Sequence, residues 1–269
     1  MIGATGSAGV GFASRASSAP ASSSSAASRS TSPAMLRSLV DSSTVRTPED
    51  LLGRLKKLES ALSGDGRVVF PAVYTAITKA SVKLVADRRV DDVERSRALI
   101  VDFGRRYLDA FAAHLDGADG DVPAHWRRHF ALAAGQTPSL RAAASAINAH
   151  LSVDLAEAVF ATGASRAFAG DFATFGRSLA AATPEVVAAL ARHGVDAERF
   201  VRGWFVGDVV DALAGGGTTS RLGFQIVRTE AFANAMLLRE CAIAPALVRA
   251  GMQLACKNRE TTLDVLVRS

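Results

Sequence analysis

From Thr47 to Leu266, apolar residues recur at every third or fourth position and are interrupted at intervals by Gly, Pro and Ser clusters. That period of about 3.6 residues constrains the fold more than any other feature, because it puts the apolar side chains of each segment on one face of a helix. Thr47-Pro48-Glu49-Asp50 supplies an N-cap, a proline in the first turn and two acids near the positive helix end. Leu51, Leu55, Leu58 and Leu62 follow at helical spacing, and Ser63-Gly64-Asp65-Gly66 ends the segment. A second helix is predicted around Phe70, Val73, Ile77 and Leu84. A third, capped by Asp91 or Asp92, carries Ile100, Phe103, Tyr107 and Phe111.

A short helical piece with Trp126 and Phe130 comes next, then a long helix from Ser139 to Thr162. Further helices are predicted from Asp171 to Ala182, Thr183 to His193 and Ala197 to Leu213, the last with Trp204. Gly215-Gly216-Gly217 makes a break before two closing helices, Arg221 to Ala242 and Pro245 to Leu266. Hydrophobic residues make up 49% of the chain but aromatics only 6%, and Ala is abundant, which suits closely packed helices rather than sheets. The expected fold is therefore all-α, a single-domain helical bundle of about eight to nine helices with an internal polar pocket. Residues 1–45 read as a disordered Ala/Ser-rich leader and 46–269 as the domain.

Charge and cysteine content narrow the function classes. The net charge is +5, but Lys56-Lys57, Arg88-Arg89, Arg105-Arg106 and Arg127-Arg128 are pairs on separate segments with no aromatic ladder, so no nucleic-acid partner is expected. Cys241 and Cys256 are too few for a disulfide framework or a zinc knuckle. The longest apolar stretch, near Cys241 to Cys256, is interrupted by Arg249, and no membrane partner is expected. The leader carries Arg15 and Arg29 and no acid before Asp41; a cytoplasmic tail is the preferred reading and an organelle transit peptide the alternative. No phosphate-cradling Gly loop, nucleophile elbow, His-Glu-x-x-His or Cys-x-x-Cys occurs in the domain, so no nucleotide or flavin cofactor is expected. Asp208 and Asp211 read as a solvated acidic pair.

The helix beginning at Ser139 is where specific chemistry enters. Its apolar stripe is Leu140, Ala144, Ile147, Leu151, Leu155 and Ala158, and Asp154 falls inside that stripe or at its edge. His150 lies one turn earlier on one flank and Asn148 on the other. A carboxylate aimed at a core needs a cation, a metal or several hydrogen bonds. Two readings follow. In the first, Asp154 is a structural clamp bonded to His150 and to an Arg from another helix. In the second, His150 and Asp154 line a pocket as an acid/base pair, or share a divalent metal at their i, i+4 spacing. His114, His125, His129 and Asp102 are the further ligand candidates; His114 and His129 are expected to face solvent, and His193 to cap a helix C-terminus. On the penultimate helix Asn234 projects into the apolar face with Arg228 on its flank. If the two helices are neighbours, either could answer Asp154.

The stretch Ala146-Ile147-Asn148-Ala149-His150-Leu151-Ser152-Val153-Asp154-Leu155 resembles the Asn-Ala-His-[Ile/Leu]-x-x-Asp-Leu signature of an uncharacterised bacterial family, domain of unknown function 5995. Arg106-Tyr107-Leu108-Asp109-Ala110, Pro123 with Trp126 and Phe130, and Arg228 with Ala231, Phe232, Asn234 and Ala235 extend the resemblance over most of residues 65–245. Phe232 stands where that family often has Trp. The resemblance implies a helical fold and singles out Asn148, His150, Asp154 and Arg228, with no activity attached. The His-x-x-x-Asp piece is also similar to part of the zinc-dependent phospholipase C and P1-nuclease families, whose further ligands have no counterpart here.

The functional expectation is an enzyme acting on a small, largely apolar molecule by hydrolysis, isomerisation or cyclisation, in the manner of secondary metabolism. His150 is the expected base, Asp154 its orienting partner or co-ligand, and Asn148 or Arg228 the holder of developing negative charge. Trp126, Asn234, Phe232 and Tyr107 are the expected substrate contacts, and the chain a monomer or homodimer. The alternative is a non-catalytic binding or scaffold protein in which the polar cluster only fixes helix register.

Overall fold

Helix α3 (Val69–Ala86) organises the architecture, because more than half of it is buried: Val69, Phe70, Ala72, Val73, Tyr74, Thr78, Ser81, Leu84 and Val85 are all inside. By length and composition the segment Gly66–Ala86 would suffice to cross a membrane. Here α2 (Pro48–Ala61), α4 (Val93–Leu115), α6 (Leu140–Ala149), α8 (Ala169–Ala181) and α9 (Thr183–Ala191) pack around it, as expected of a helix that is apolar all round. The structure, a computed structural model, describes Gly3 and residues 32–117, 120–135, 137–198, 218–241 and 244–266, with the side chains of 218–224 and 266 left aside. Among the described residues there is no strand, and the fold is an all-α bundle in one domain.

Local chemistry accounts for the helix boundaries. At the start of α2 the Asp50 amide donates to the Thr47 hydroxyl (3.1 Å) and the Thr47 amide donates to the Asp50 carboxylate (2.9 Å), a reciprocal capping box. At the start of α4 the Asp92 carboxylate accepts from the Arg95 amide, while Asp171, from α8, accepts from the amides of both Asp91 and Asp92 at 2.7 Å. One buried carboxylate thus fastens α8 to the N-terminal end of α4. After α5 (Ala124–Ala133), the chain runs through α6, a five-residue π segment (His150–Asp154) and α7 (Leu155–Ala161) as one continuous helix. The last two helices are α10 (Thr218–Glu240), packed on α7, and α11 (Pro245–Leu266), packed on α5, α6 and the π segment. Counting the continuous helix once, the described residues form ten helices, close to the expected eight to nine.

Residues 33–45, expected to be leader, are folded. They form α1 (Pro33–Val40) and a 3₁₀ turn (Ser42–Thr44), with Leu36, Leu39, Val40 and Val45 in the core. Arg54 donates to the Ser38 and Leu39 carbonyls and Arg105 to that of Val45, which pins this segment to α2 and α4. The sequence hides this because α1 spans barely two turns. Residues 1, 2 and 4–31 lie outside the described residues, as do Trp204, Asp208, Asp211 and Gly215-Gly216-Gly217.

Two glycines show how close packing and open surface set opposite rules. A Cβ on Gly66 would lie 2.7 Å from the Ala133 carbonyl oxygen and nearer still to that of Gly135, whose backbone also accepts the Gly66 amide hydrogen bond. Gly53, inside α2, has no heavy atom within 4 Å of such a Cβ. Gly66→Ala is expected to destabilise by about 1–3 kcal/mol through overpacking, and Gly53→Ala to stabilise by up to about 1 kcal/mol through helix propensity. Urea unfolding of the two variants beside the parent checks both signs.

Candidate functional site

The site is built where the long helix changes pitch. In the π segment the amide of Leu155 bonds to the carbonyl of His150, five residues back instead of four, so one extra residue is carried in the turn. Such insertions weaken a helix and are found frequently at functional sites. This one places Asp154, 4% exposed, against α5, and keeps His150, 3% exposed, beside it.

Three N–H groups meet the Asp154 carboxylate. His125 Nε2 lies 2.8 Å from Oδ1, and Oδ2 accepts from Trp126 Nε1 at 2.9 Å and from His150 Nδ1 at 3.0 Å. Burial by itself would raise the Asp154 pKa, but the hydrogen bonds and charge interactions from His125 and His150 hold it below the usual carboxylate range. Charge-assisted hydrogen bonds contribute about 1.5–3 kcal/mol each, so three offset a burial penalty of several kcal/mol. An ionised Asp154 also fixes the tautomers. His125 presents Nε2–H to it, leaving Nδ1 to accept from the Gln253 amide of α11 at 3.1 Å. His150 presents Nδ1–H, leaving the lone pair on Nε2.

That nitrogen is left open, as is Nε2 of the buried His129. His150 Nε2 is buried and has no hydrogen-bond partner among the described residues. The imidazole lies flat on Phe103, with ring centroids 3.5 Å apart, and meets the edges of Tyr74 (4.7 Å) and Phe70 (5.3 Å). Burial lowers its pKa, only partly countered by the Asp154 hydrogen bond and charge, so the ring is neutral at pH 7. Tyr74 and Phe103 also line a cavity of about 30 Å³ between α3, α4, α7, α8 and α10, whose wall includes Thr78, Leu99, Leu155 and Arg228.

Several expected site residues have other duties. Asn148 faces α11, donating to the Cys256 carbonyl (3.0 Å) and Glu260 (2.7 Å) and accepting from Ser152 (2.9 Å). Arg259 donates to Ser152 and pairs with Glu230; Glu260 also accepts from Arg141 and Ser145. This second network joins α6 to α11 on the far flank of the helix from Asp154. Buried within it, the Cys256 thiol is pushed up to about 12. Arg228 does not answer Asp154: it donates to the Phe172 carbonyl (3.0 Å) and lies 4.3 Å over the Phe172 ring, its pKa lowered by burial to about 9. Phe232 packs on that same Phe172 ring at 4.9 Å. Asn234 is half-buried and is no partner of Asp154. Trp126 serves as a donor to Asp154, and Tyr107 packs 5.4 Å from it with a buried hydroxyl.

The remaining histidines differ from expectation too. His129 is fully buried, its Nδ1 bonded to the Ala142 carbonyl at 2.9 Å, and burial lowers its pKa to about 4. His114 is half-buried and stacks on Phe130 at 4.3 Å, while His193 bonds to Glu59 rather than only capping its helix. The donor set does not fit a metal shared by His150 and Asp154. The two are hydrogen-bonded to each other, and the Trp126 indole, which can only donate, occupies the carboxylate as well. Among the described residues no group of three His, Cys, Asp or Glu side chains is placed to hold a metal.

His125 appeared in the sequence only as a ligand candidate; Gln253, Phe103, Phe70 and Tyr74 carried no signal beyond ordinary core spacing. The available clue was the adjacency of His125 and Trp126 just after Pro123, two N–H donors side by side at the start of a short helix. Over residues 49–262 the sequence matches a family described as "Family of unknown function (DUF5995)". No curated protein and no solved structure matches the chain.

The titrations of His129, His150 and Asp154 carry one sign. His129 and His150 have folded pKa values below that of an unfolded imidazole, near 6.5, so below that pH the unfolded chain binds protons that the folded protein refuses. The stability they contribute is full above pH ~6.5 and is lost as the pH falls. Asp154, also depressed, adds a loss with the same sign at still lower pH. His129 alone is expected to remove roughly 3 kcal/mol between pH 7 and pH 4. Urea titrations across that window check it, and a flat profile would refute the assignment.

Proposed function

The chain belongs to that family of unknown function, and we propose that in it His150 and Asp154 form an acid/base centre acting on a small molecule. One observation carries this reading: the buried, unpartnered lone pair on His150 Nε2, which unlike that of His129 belongs to a ring whose Nδ1 is held by a carboxylate. A clamp that merely joined helices would gain by satisfying both ring nitrogens, since a buried acceptor left open costs about 1–3 kcal/mol. A base needs its lone pair open. His150 Nε2 takes a proton from the substrate, and Asp154, bonded to Nδ1, carries the charge of the resulting imidazolium. His125 and Trp126 are positioning residues that keep the carboxylate from turning away from His150. Gln253 does the same for His125, so α11 supports the site from behind.

Tyr74 and Phe103, which contact the His150 ring, also line the cavity, whose apolar wall suits a small, largely apolar substrate. Arg228 provides positive charge in that wall for negative charge developing on the substrate. Asn148, committed to Cys256 and Glu260, has no part in the chemistry of this reading. Neither does a metal.

A structural role is the second reading, favoured by one specific fact: the three donors to Asp154 come from both α5 and the π segment, so the carboxylate ties two elements together. His150→Gln separates the readings, because glutamine can still donate to Asp154 but is no base. Turnover should be sought on a panel of small esters and enolisable ketones. The acid/base reading expects activity that falls at least ~100-fold in the variant while the melting temperature shifts by only a few degrees. A large drop in melting temperature, with no His150-dependent turnover anywhere in the panel, would favour the clamp.

A further inference from the structure

The cavity wall holds two further polar groups that neither the acid/base chemistry nor the packing explains. Tyr74 and Thr78 lie one turn apart on α3, are 3% and 1% exposed, and both line the cavity. Neither hydroxyl has a hydrogen-bond partner among the described residues. Ser81, one turn further on, also lines the cavity but satisfies itself on the Ile77 carbonyl at 3.1 Å. Two buried hydroxyls left open on successive turns of α3 cost several kcal/mol together unless something else meets them.

We propose that this cavity binds a carboxylate, held by the hydroxyls of Tyr74 and Thr78 in the field of Arg228. The sign of the ligand follows from the donors. Burial, with the nearby charges of Asp154 and Asp102, raises the Tyr74 pKa well above its ordinary value, so the phenol keeps its proton and donates. Thr78 can donate as well, and Arg228 carries positive charge on the same wall at neutral pH. Donors and positive charge on one wall suit an anion. The size follows from the volume: about 30 Å³ admits a group of a few heavy atoms and no ring. A carboxylate is planar and accepts several hydrogen bonds at once, and the rest of the wall is apolar, which strengthens charge-assisted bonds. The source is either a free one- or two-carbon acid or the head of a longer one.

This deepens the acid/base reading and rests on it only in making the bound carboxylate the substrate's own. Tyr74 touches both the His150 ring and the cavity, so a carboxylate seated there brings the adjoining atoms of the same molecule toward the base. Titration of the full chain at constant ionic strength with ¹³C-labelled formate, acetate and butyrate, followed by NMR, tests it, with formamide and acetamide as neutral controls. Saturable binding of at least one acid is expected, weakened about tenfold or more by Tyr74→Phe and by Thr78→Val, with the amides binding far less. Preference for formate and acetate would identify a free small acid; equal or tighter binding of butyrate would identify the head of a longer one. The proposal is overturned if no acid binds, if the amides bind equally well, or if neither substitution changes the affinity. The same titration on His150→Gln keeps the two ideas apart. Carboxylate binding without any His150-dependent turnover would sink the proton-transfer reading alone, and His150-dependent turnover without carboxylate binding would sink this one alone.

Discussion

A single buried carboxylate sets the terms for the centre of this molecule. Asp154 has almost no contact with water, and an ion in that position is tolerated only if the protein surrounds it with donors. The protein does so with three N–H groups from two elements, the Pro123-led helix α5 and the π segment itself. Much else follows. Trp126 is oriented by its indole N–H, His125 is fixed in one tautomer, and α11 is drawn over the site because Gln253 must supply the donor that His125 then requires. His150, giving Nδ1–H to the same carboxylate, is left with its one reactive nitrogen turned to an aromatic box.

The π segment divides the labour of the long helix between two flanks. On one, Asn148, Ser152, Arg259, Glu230, Glu260 and Arg141 form a network of hydrogen bonds and ion pairs that joins α6 and the π segment to α10 and α11. On the other, the Asp154 cluster is satisfied at the carboxylate but not at His150 Nε2, nor at the Tyr74 and Thr78 hydroxyls nearby. Asn148 and His150 are near neighbours in the sequence and serve different ends.

Most of the fold was legible because amphipathic periodicity and capping chemistry are local. Thr47-Pro48-Glu49-Asp50 states the start of α2 in four letters, and Asp92 the start of α4. Helix α1 was not legible: eight residues in a Ser-rich context give too little periodicity, and its burial depends on Arg54 and Arg105, distant in the chain. At the site, the demand for a partner to Asp154 could be read from its place on the apolar stripe. The identity of that partner could not, since it depends on which helices lie side by side. Arg228 and Asn234 were the expected partners, yet α10 brings Arg228 to Phe172, while α5 brings His125 and Trp126 to the carboxylate. The π segment was hidden as well, because one shifted hydrogen bond leaves no mark on a helical wheel.

Whether this centre has a base is decided by the protonation of the His150 imidazole, and ¹⁵N-edited NMR of histidine-labelled protein reads it directly. At pH 7 the His150 ring should be neutral with its proton on Nδ1 and a lone pair on Nε2. On acidification His150 should hold that state below the ordinary imidazole range, as its lowered pKa requires. A His150 ring that carries its proton on Nε2, or is already an imidazolium at pH 7, would contradict the central claim, because the centre would then have no base.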